Sequence, residues 1–125
     1  MDNSCTFLSY NSTGINSTKS KWVRDLLKVT NSDFITLQEH FKKSKTIEKF
    51  FQDEFPRYTS YIIPGQRESG TVSGRPKGGL AMLSNREKKV RKERMVSNSY
   101  RIQAQTLDIA NMKILWINSY MRTIQ

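Results

Sequence analysis

Glu39 is the residue best placed for chemistry. It directly follows Phe34-Ile35-Thr36-Leu37-Gln38, a β-prone apolar run that reads as a buried strand. A carboxylate just past the C-terminal end of such a strand stands at a sheet rim on rigid support, where active sites are often built. Hard cations such as Mg²⁺ want oxygen ligands, commonly take one or two protein carboxylates, and complete their shell with water and substrate phosphate. One Glu is chemically sufficient as a first ligand; the plain alternative is a solvated or ion-paired Glu at a strand end. Asn11 holds the equivalent place after Thr6-Phe7-Leu8-Ser9-Tyr10. An amide there can hold a phosphate oxygen or orient a metal-bound carboxylate, or it can close an Asx turn with Ser12. Tyr120 closes Ile117-Asn118-Ser119-Tyr120. Its phenol can hydrogen-bond a phosphate or a leaving oxygen, or pack as an amphipathic aromatic at a domain edge.

Other chemistries lack their residues. His40 is the single histidine, and no HExxH is present. A Ser-His-Asp triad has no supporting arrangement, and His40 is expected to face solvent or pack against a loop. Cys5 is the single cysteine, which excludes a disulfide framework and a Cys-based zinc site within the chain. It fits a small buried hydrophobe in a reducing compartment. The Gly- and Ser-rich segment from Ser69 to Gly79 is no P-loop, because GxxxxGK[ST] is missing and an apolar strand follows it.

Charge points to a polyanionic partner. Lys and Arg number 21 against 11 Asp and Glu, a net +10. Such a surplus favours nucleic acid first and anionic membrane second. Arg75 and Lys77 lie in the long loop. Arg86, Lys88, Lys89, Arg91, Lys92 and Arg94 then face only Glu87 and Glu93 within nine residues. A cluster of that density can neutralise several phosphates and makes binding salt-dependent; its plain alternative is a solvated basic hairpin. No apolar run approaches the roughly 20 residues of a membrane span, and Met-Asp-Asn-Ser lacks a signal-peptide pattern. An intracellular protein, cytoplasmic or nuclear, is expected.

The positioning elements follow from pattern. After the first strand, Asn11-Ser12-Thr13-Gly14 is turn chemistry, and Ser17, Thr18 or Ser20 can cap a helix. Trp22, Val23, Leu26, Leu27 and Val29 are expected on its buried face. Strand, helix and strand within about 40 residues make a βαβ-like unit with two parallel neighbours, which brings Asn11 and Glu39 to one rim. Ile47, Phe50, Phe51 and Phe55 mark a second helix closed by Pro56. Strands are expected at Tyr58 to Ile63, Leu80 to Leu83, Val90 to Val96, Tyr100 to Ile109 and Lys113 to Tyr120, with a hairpin turn at Asn111. The alternation from Tyr100 to Ile109 is too irregular to assign faces. An αβ beginning followed by antiparallel strands is an α/β sandwich rather than a doubly wound sheet.

Four segments together resemble the endonuclease/exonuclease/phosphatase superfamily, and within it the LINE-type retrotransposon and apurinic endonuclease domains. They are Leu8 to Ile15, with Asn11 before a short turn to Gly14; Asp33 to His40, with Leu37-Gln38-Glu39; Gly74-Arg75-Pro76-Lys77-Gly78-Gly79-Leu80-Ala81; and Ile117 to Tyr120. The resemblance implies the N-terminal portion of a four-layer αββα sandwich, truncated, occupying residues 1–125. It also implies Mg²⁺- or Mn²⁺-dependent phosphodiester hydrolysis, with the cation weakly bound. By it, Glu39 binds metal, Asn11 helps to hold metal or phosphate, and Tyr120 contacts the scissile phosphate of nucleic acid, DNA above RNA.

The sequence departs from the family after Tyr120, where Met121-Arg122-Thr123 stands in place of a nearby Pro. The family's Gly-Asp-x-Asn and Ser-Asp-His segments do not occur before Gln125. The chain is therefore expected to be catalytically incomplete and to lack the second sheet, and half a sandwich is expected to expose an apolar face and to self-associate. The rival functions are a non-catalytic basic nucleic-acid-binding protein and a decayed reading frame. Inositol-phosphate and sphingomyelin phosphatases share the Asn and Glu segments.

Overall fold

The structure is a computed structural model that describes residues 4–43, 46–65, 78–88, 90–99 and 101–120, with backbone only for 91–99. The segment carrying Arg75 and Lys77, together with Lys89, lies outside the described residues, as do the side chains of Arg91, Lys92 and Arg94.

The elements run β1 (Phe7–Asn11), α1 (Ser17–Thr30), β2 (Phe34–Gln38), α2 (Ile47–Glu54), β3 (Tyr58–Ile63), β4 (Leu80–Asn85), β5 (Arg91–Ser99), β6 (Ile102–Ile109) and β7 (Met112–Ser119). They build two sheets, a mixed one in the order β1-β2-β4-β3 and an antiparallel one in the order β5-β6-β7. The βαβ expectation holds. Strands β1 and β2 are parallel with Asn11 opposite Gln38, and β4 runs antiparallel between β2 and β3.

Central β2 is buried on both faces, which explains its unbroken apolar run. Ile35 and Leu37 join Val23 and Leu27 of α1 and Phe51 of α2 in one core beneath the helices. Phe34 and Met82 face the other way and pack on Leu107 and Trp116 of the second sheet. Trp116 meets Phe34 edge-on at 5.3 Å. The described chain is thus three layers: helices, sheet, sheet.

Three sequence expectations need correction. The buried face of α1 carries Ser20, Val23 and Leu27, while Trp22, Leu26 and Val29 are exposed. A 14-residue helix packed on a sheet face buries one stripe, and α1 carries two apolar stripes. Its cap is Asn16, whose side chain accepts from Lys19 N at 2.8 Å, rather than Ser17, Thr18 or Ser20. Third, the second sheet is present and covers the first. What stays uncovered is the outer face of that second sheet, where Ile102, Leu115 and Ile117 are exposed. The Asn111 hairpin forms as expected, with Ala110 and Asn111 both at positive φ in a two-residue turn.

Candidate functional site

The parallel pairing of β1 and β2 ends both strands at the same rim. Asn11 lies opposite Gln38, and Glu39 is the next residue. There the chain leaves the sheet, because Glu39 takes φ +57°. That left-handed conformation costs a side-chain-bearing residue about 1 kcal/mol or more, so its surroundings must hold it. Glu39 N donates to Gly79 O at 2.8 Å, and Glu39 O accepts from Gly14 N at 2.7 Å and Ser12 Oγ at 3.1 Å. The backbone of Glu39 is fixed from two sides, and its side chain is half-buried. Among the described residues no side chain pairs with its carboxylate.

Asn11 begins an Asx turn. Its Oδ1 accepts from Thr13 N at 3.1 Å and Thr13 Oγ1 at 3.2 Å. The structural role weighed for it is therefore present, and it stands the exposed Asn11 side chain at the rim. Lys19 Nζ donates to Ser12 O and Thr13 O at 2.9 and 3.0 Å, tying this loop to α1.

Tyr120 follows β7, and its N–H donates to Arg101 O at 3.2 Å. Its phenol lies against Gly78, where a Cβ would stand 2.2 Å from Oη. Gly79 is equally tight, its Cβ position only 2.2 Å from His40 Cε1. Both glycines have positive φ. They lead into β4 at the height of Gln38, so Asn11, Glu39 and Tyr120 share one rim with the Gly78-Gly79 backbone between them.

His40 packs against this loop and does not face solvent. Its Nε2 donates to Ile63 O at 2.9 Å, and its Nδ1 accepts from Lys42 N at 3.0 Å. This pair fixes the neutral Nε2–H tautomer. Burial, foremost, holds its pKa down at about 4.

Sequence patterning missed a buried amide network under the rim. Asn118 Nδ2 lies 3.0 Å from Leu37 O, 3.1 Å from Ala81 O and 2.8 Å from Gln103 Oε1. Its Oδ1 accepts from Gln38 Nε2 at 2.8 Å, which also reaches Ser9 Oγ. Gln103 continues to Tyr61 O. Asn118 thereby joins the two sheets and sets Tyr120, two residues on, beside Gly78. The sequence signal was a polar residue at a site where the strand alternation calls for an apolar one.

The described part of the basic run does not come to the rim. Asn85 N donates to Asp33 O at the opposite end of β2, roughly 20 Å away by strand rise. Lys88 belongs to that end, with Nζ 2.7 Å from Ser4 O and 3.9 Å from Asp33 Oδ2. β5 also starts there, Arg91 opposite Asp108.

No protein-family model and no curated protein sequence matches the chain. Solved structures do. An AP endonuclease from Leishmania major superposes with a TM-score of 0.69 at 14% identity, over 93% of this chain and 40% of that one. TDP2 from D. rerio, solved with a single-strand DNA product, gives 0.64 at 14%, over 97% and 47%. An AP endonuclease from Archaeoglobus fulgidus gives 0.57 at 19%, over 94% and 41%. The chain shares the mixed α/β sandwich fold of these structures over nearly its whole length. The chain spans less than half the length of each of these neighbours. Among its described residues no helix is long and apolar enough to cross a membrane.

Proposed function

We propose that this chain is the N-terminal portion of a Mg²⁺-dependent phosphodiesterase acting on DNA, of retroelement type, in which Glu39 is a metal ligand. The observation that carries it is the rim itself: a strained Glu39, fixed through its backbone and unpaired at its carboxylate among the described residues, beside Asn11, with Tyr120 against the neighbouring Gly78. Strain held in place at a rim supports a functional reading of the residue that bears it.

The donor set fits a weakly held hard cation. Among the described residues no group of three metal-ligating side chains exists, and Mg²⁺ does not need one, since water and substrate phosphate complete its shell. Glu39 would hold the ion, with Mn²⁺ as a substitute, and Asn11 would steady a phosphate oxygen or the carboxylate. When bound, the ion supplies Lewis-acid polarisation of the phosphoryl oxygen and a more acidic bound water. Tyr120 would donate to a non-bridging or leaving oxygen. His40 is no base for that water: both ring nitrogens are engaged and the ring is buried. Among the described residues neither a candidate base nor a second carboxylate stands at this rim, which supports the reading that the chain by itself is inactive or nearly so.

Plasmid nicking tests this. The purified chain is expected to leave supercoiled DNA intact with Mg²⁺. Mg²⁺-dependent nicking abolished by Glu39→Ala would overturn the inactivity while supporting the ligand; nicking unchanged by Glu39→Ala would sink both. The distance of the basic run from Glu39 favours one second function, nucleic-acid binding without chemistry. Salt-dependent affinity that Glu39→Ala leaves unchanged in Mg²⁺ would favour it.

A further inference from the structure

The end of β2 exchanges the places of two side chains. Along β2, Ile35 and Leu37 point to the helices, whereas Phe34 packs on the second sheet and Gln38 bonds Asn118 there. Had the strand run on, Glu39 would follow Leu37 into the helix-side core and His40 would turn to the second sheet. The chain does the opposite. Positive φ at Glu39 and Phe41 turns the backbone on either side of His40. The imidazole enters the helix side, edge-on to Phe51 of α2 at 5.8 Å. His40 is buried, and Glu39 is left half-buried at the rim.

The ring is anchored to all the strand ends around it. In the order β2-β4-β3 it reaches from the end of β2, over the start of β4, to the end of β3. Nε2–H donates to Ile63 O, on the last residue of β3, and Nδ1 accepts from Lys42 N. Lys42 O in turn accepts from Gly65 N at 2.8 Å. Between these anchors the ring lies on Gly79, where no side chain would fit. The backbone of the turn is tied to the same neighbours: Phe41 N donates to Gly78 O at 3.0 Å, and His40 O accepts from Ile15 N at 3.2 Å. A buried ring nitrogen without its bond would be an orphaned polar group, so the ring is held in one place and one orientation.

We infer that His40 is the positioning residue of Glu39. By holding the inward slot through Ile63 O and Lys42 N, it keeps the left-handed turn in place and the Glu39 carboxylate outside the core, at the divalent-cation site. This rests on the reading of Glu39 as a metal ligand. His40 itself touches neither ion nor phosphate and moves no proton.

Mn²⁺ binding to the 125-residue chain tests this, read from the free-ion EPR signal well below the melting temperature. The intraresidue amide–α-proton NOE of Glu39, strong at positive φ, is followed alongside. His40→Ala empties the slot. It is expected to weaken Mn²⁺ by about tenfold or more, as when a group that orients a metal ligand is removed, and to lose the strong NOE. His40→Gln keeps a donor within reach of Ile63 O and is expected to bind more weakly than the parent but more tightly than His40→Ala. Val23→Ala, in the core beneath α1, lowers stability away from the turn and is expected to bind as the parent does.

A His40→Ala chain with parent-like binding and NOE would overturn the inference, as would an equal loss in Val23→Ala, which would reduce His40 to packing. Should His40→Ala not fold, parent-like binding by His40→Gln overturns it. Glu39→Gln separates the two claims. Binding abolished there but intact in the His40 variants removes the positioning role alone. Binding unchanged in Glu39→Gln shows that Glu39 is no ligand, and the positioning role goes with it.

Discussion

Replacing Asn118 by alanine removes the joint between the two sheets, and the geometry sets the cost. The amide nitrogen has three acceptors within 3.1 Å but only two protons, so it makes two bonds shared over Leu37 O, Ala81 O and Gln103 Oε1. The amide oxygen makes a third, with Gln38 Nε2. At a net value of about 1 kcal/mol each, three lost hydrogen bonds destabilise the chain by about 3 kcal/mol. Gln38 keeps Ser9 Oγ as a partner, which holds the figure below the full penalty for orphaned groups. For a chain of this size the loss lowers Tm by on the order of 10 °C. Asn118→Asp keeps the shape and turns a carboxylate oxygen towards three acceptors, so it costs more than alanine at neutral pH and recovers part of the loss in acid. Urea titration followed by circular dichroism measures both. A change below about 1 kcal/mol for Asn118→Ala, which is ordinary for a surface site, would refute the sheet-joining role.

Other consequences follow from the same geometry. His40 titrates at about 4 when folded and near the ordinary 6.5 when unfolded. Above the higher value it contributes no pH dependence. As pH falls from there through about 4, the unfolded chain takes up a proton that the folded state refuses, and stability drops by roughly 3 kcal/mol; His40→Gln flattens this slope in urea titrations near neutral and acidic pH. Glu39→Gly relieves the φ +57° strain, so the variant is more stable by about 1 kcal/mol in urea titration while losing cation binding; a less stable variant would contradict the strain. Gly79→Ala meets both a positive φ and the His40 ring, and is expected to lose about 3 kcal/mol or more or fail to fold, as read by soluble yield and thermal melting.

The sequence was legible where one period governed. β2 alternates Ile35 and Leu37 towards the helices with Phe34 and Thr36 towards the second sheet, and its continuous burial announces a central strand. The parallel pairing that puts Asn11 beside Glu39 followed from strand–helix–strand order alone. Legibility failed where polarity and burial part company. On β6 and β7 the inward positions hold Gln103, Gln105 and Asn118, whereas Ile102, Leu115 and Ile117 face out. An inverted pattern of this kind cannot be oriented without knowing that Gln38, Gln103 and Asn118 satisfy one another across the sheets. α1 failed for a related reason: Trp22, Leu26 and Val29 form an apolar stripe as regular as the buried one. The place of His40 depended on positive φ at Glu39 and Phe41, which strand alternation cannot foresee. The basic run was legible as charge but not as place, since only the turn after β4 sets it at the far end from Glu39.

Glu39 is proposed to hold a divalent cation at this rim. Mn²⁺ titrated into ¹⁵N-labelled chain reports it directly, because the ion broadens amide signals near its site. Broadening is expected to centre on Gly14, Glu39 and Gly79, to be competed by Mg²⁺ and to be absent in Glu39→Gln. Broadening centred on other residues, or surviving unchanged in Glu39→Gln, would contradict it.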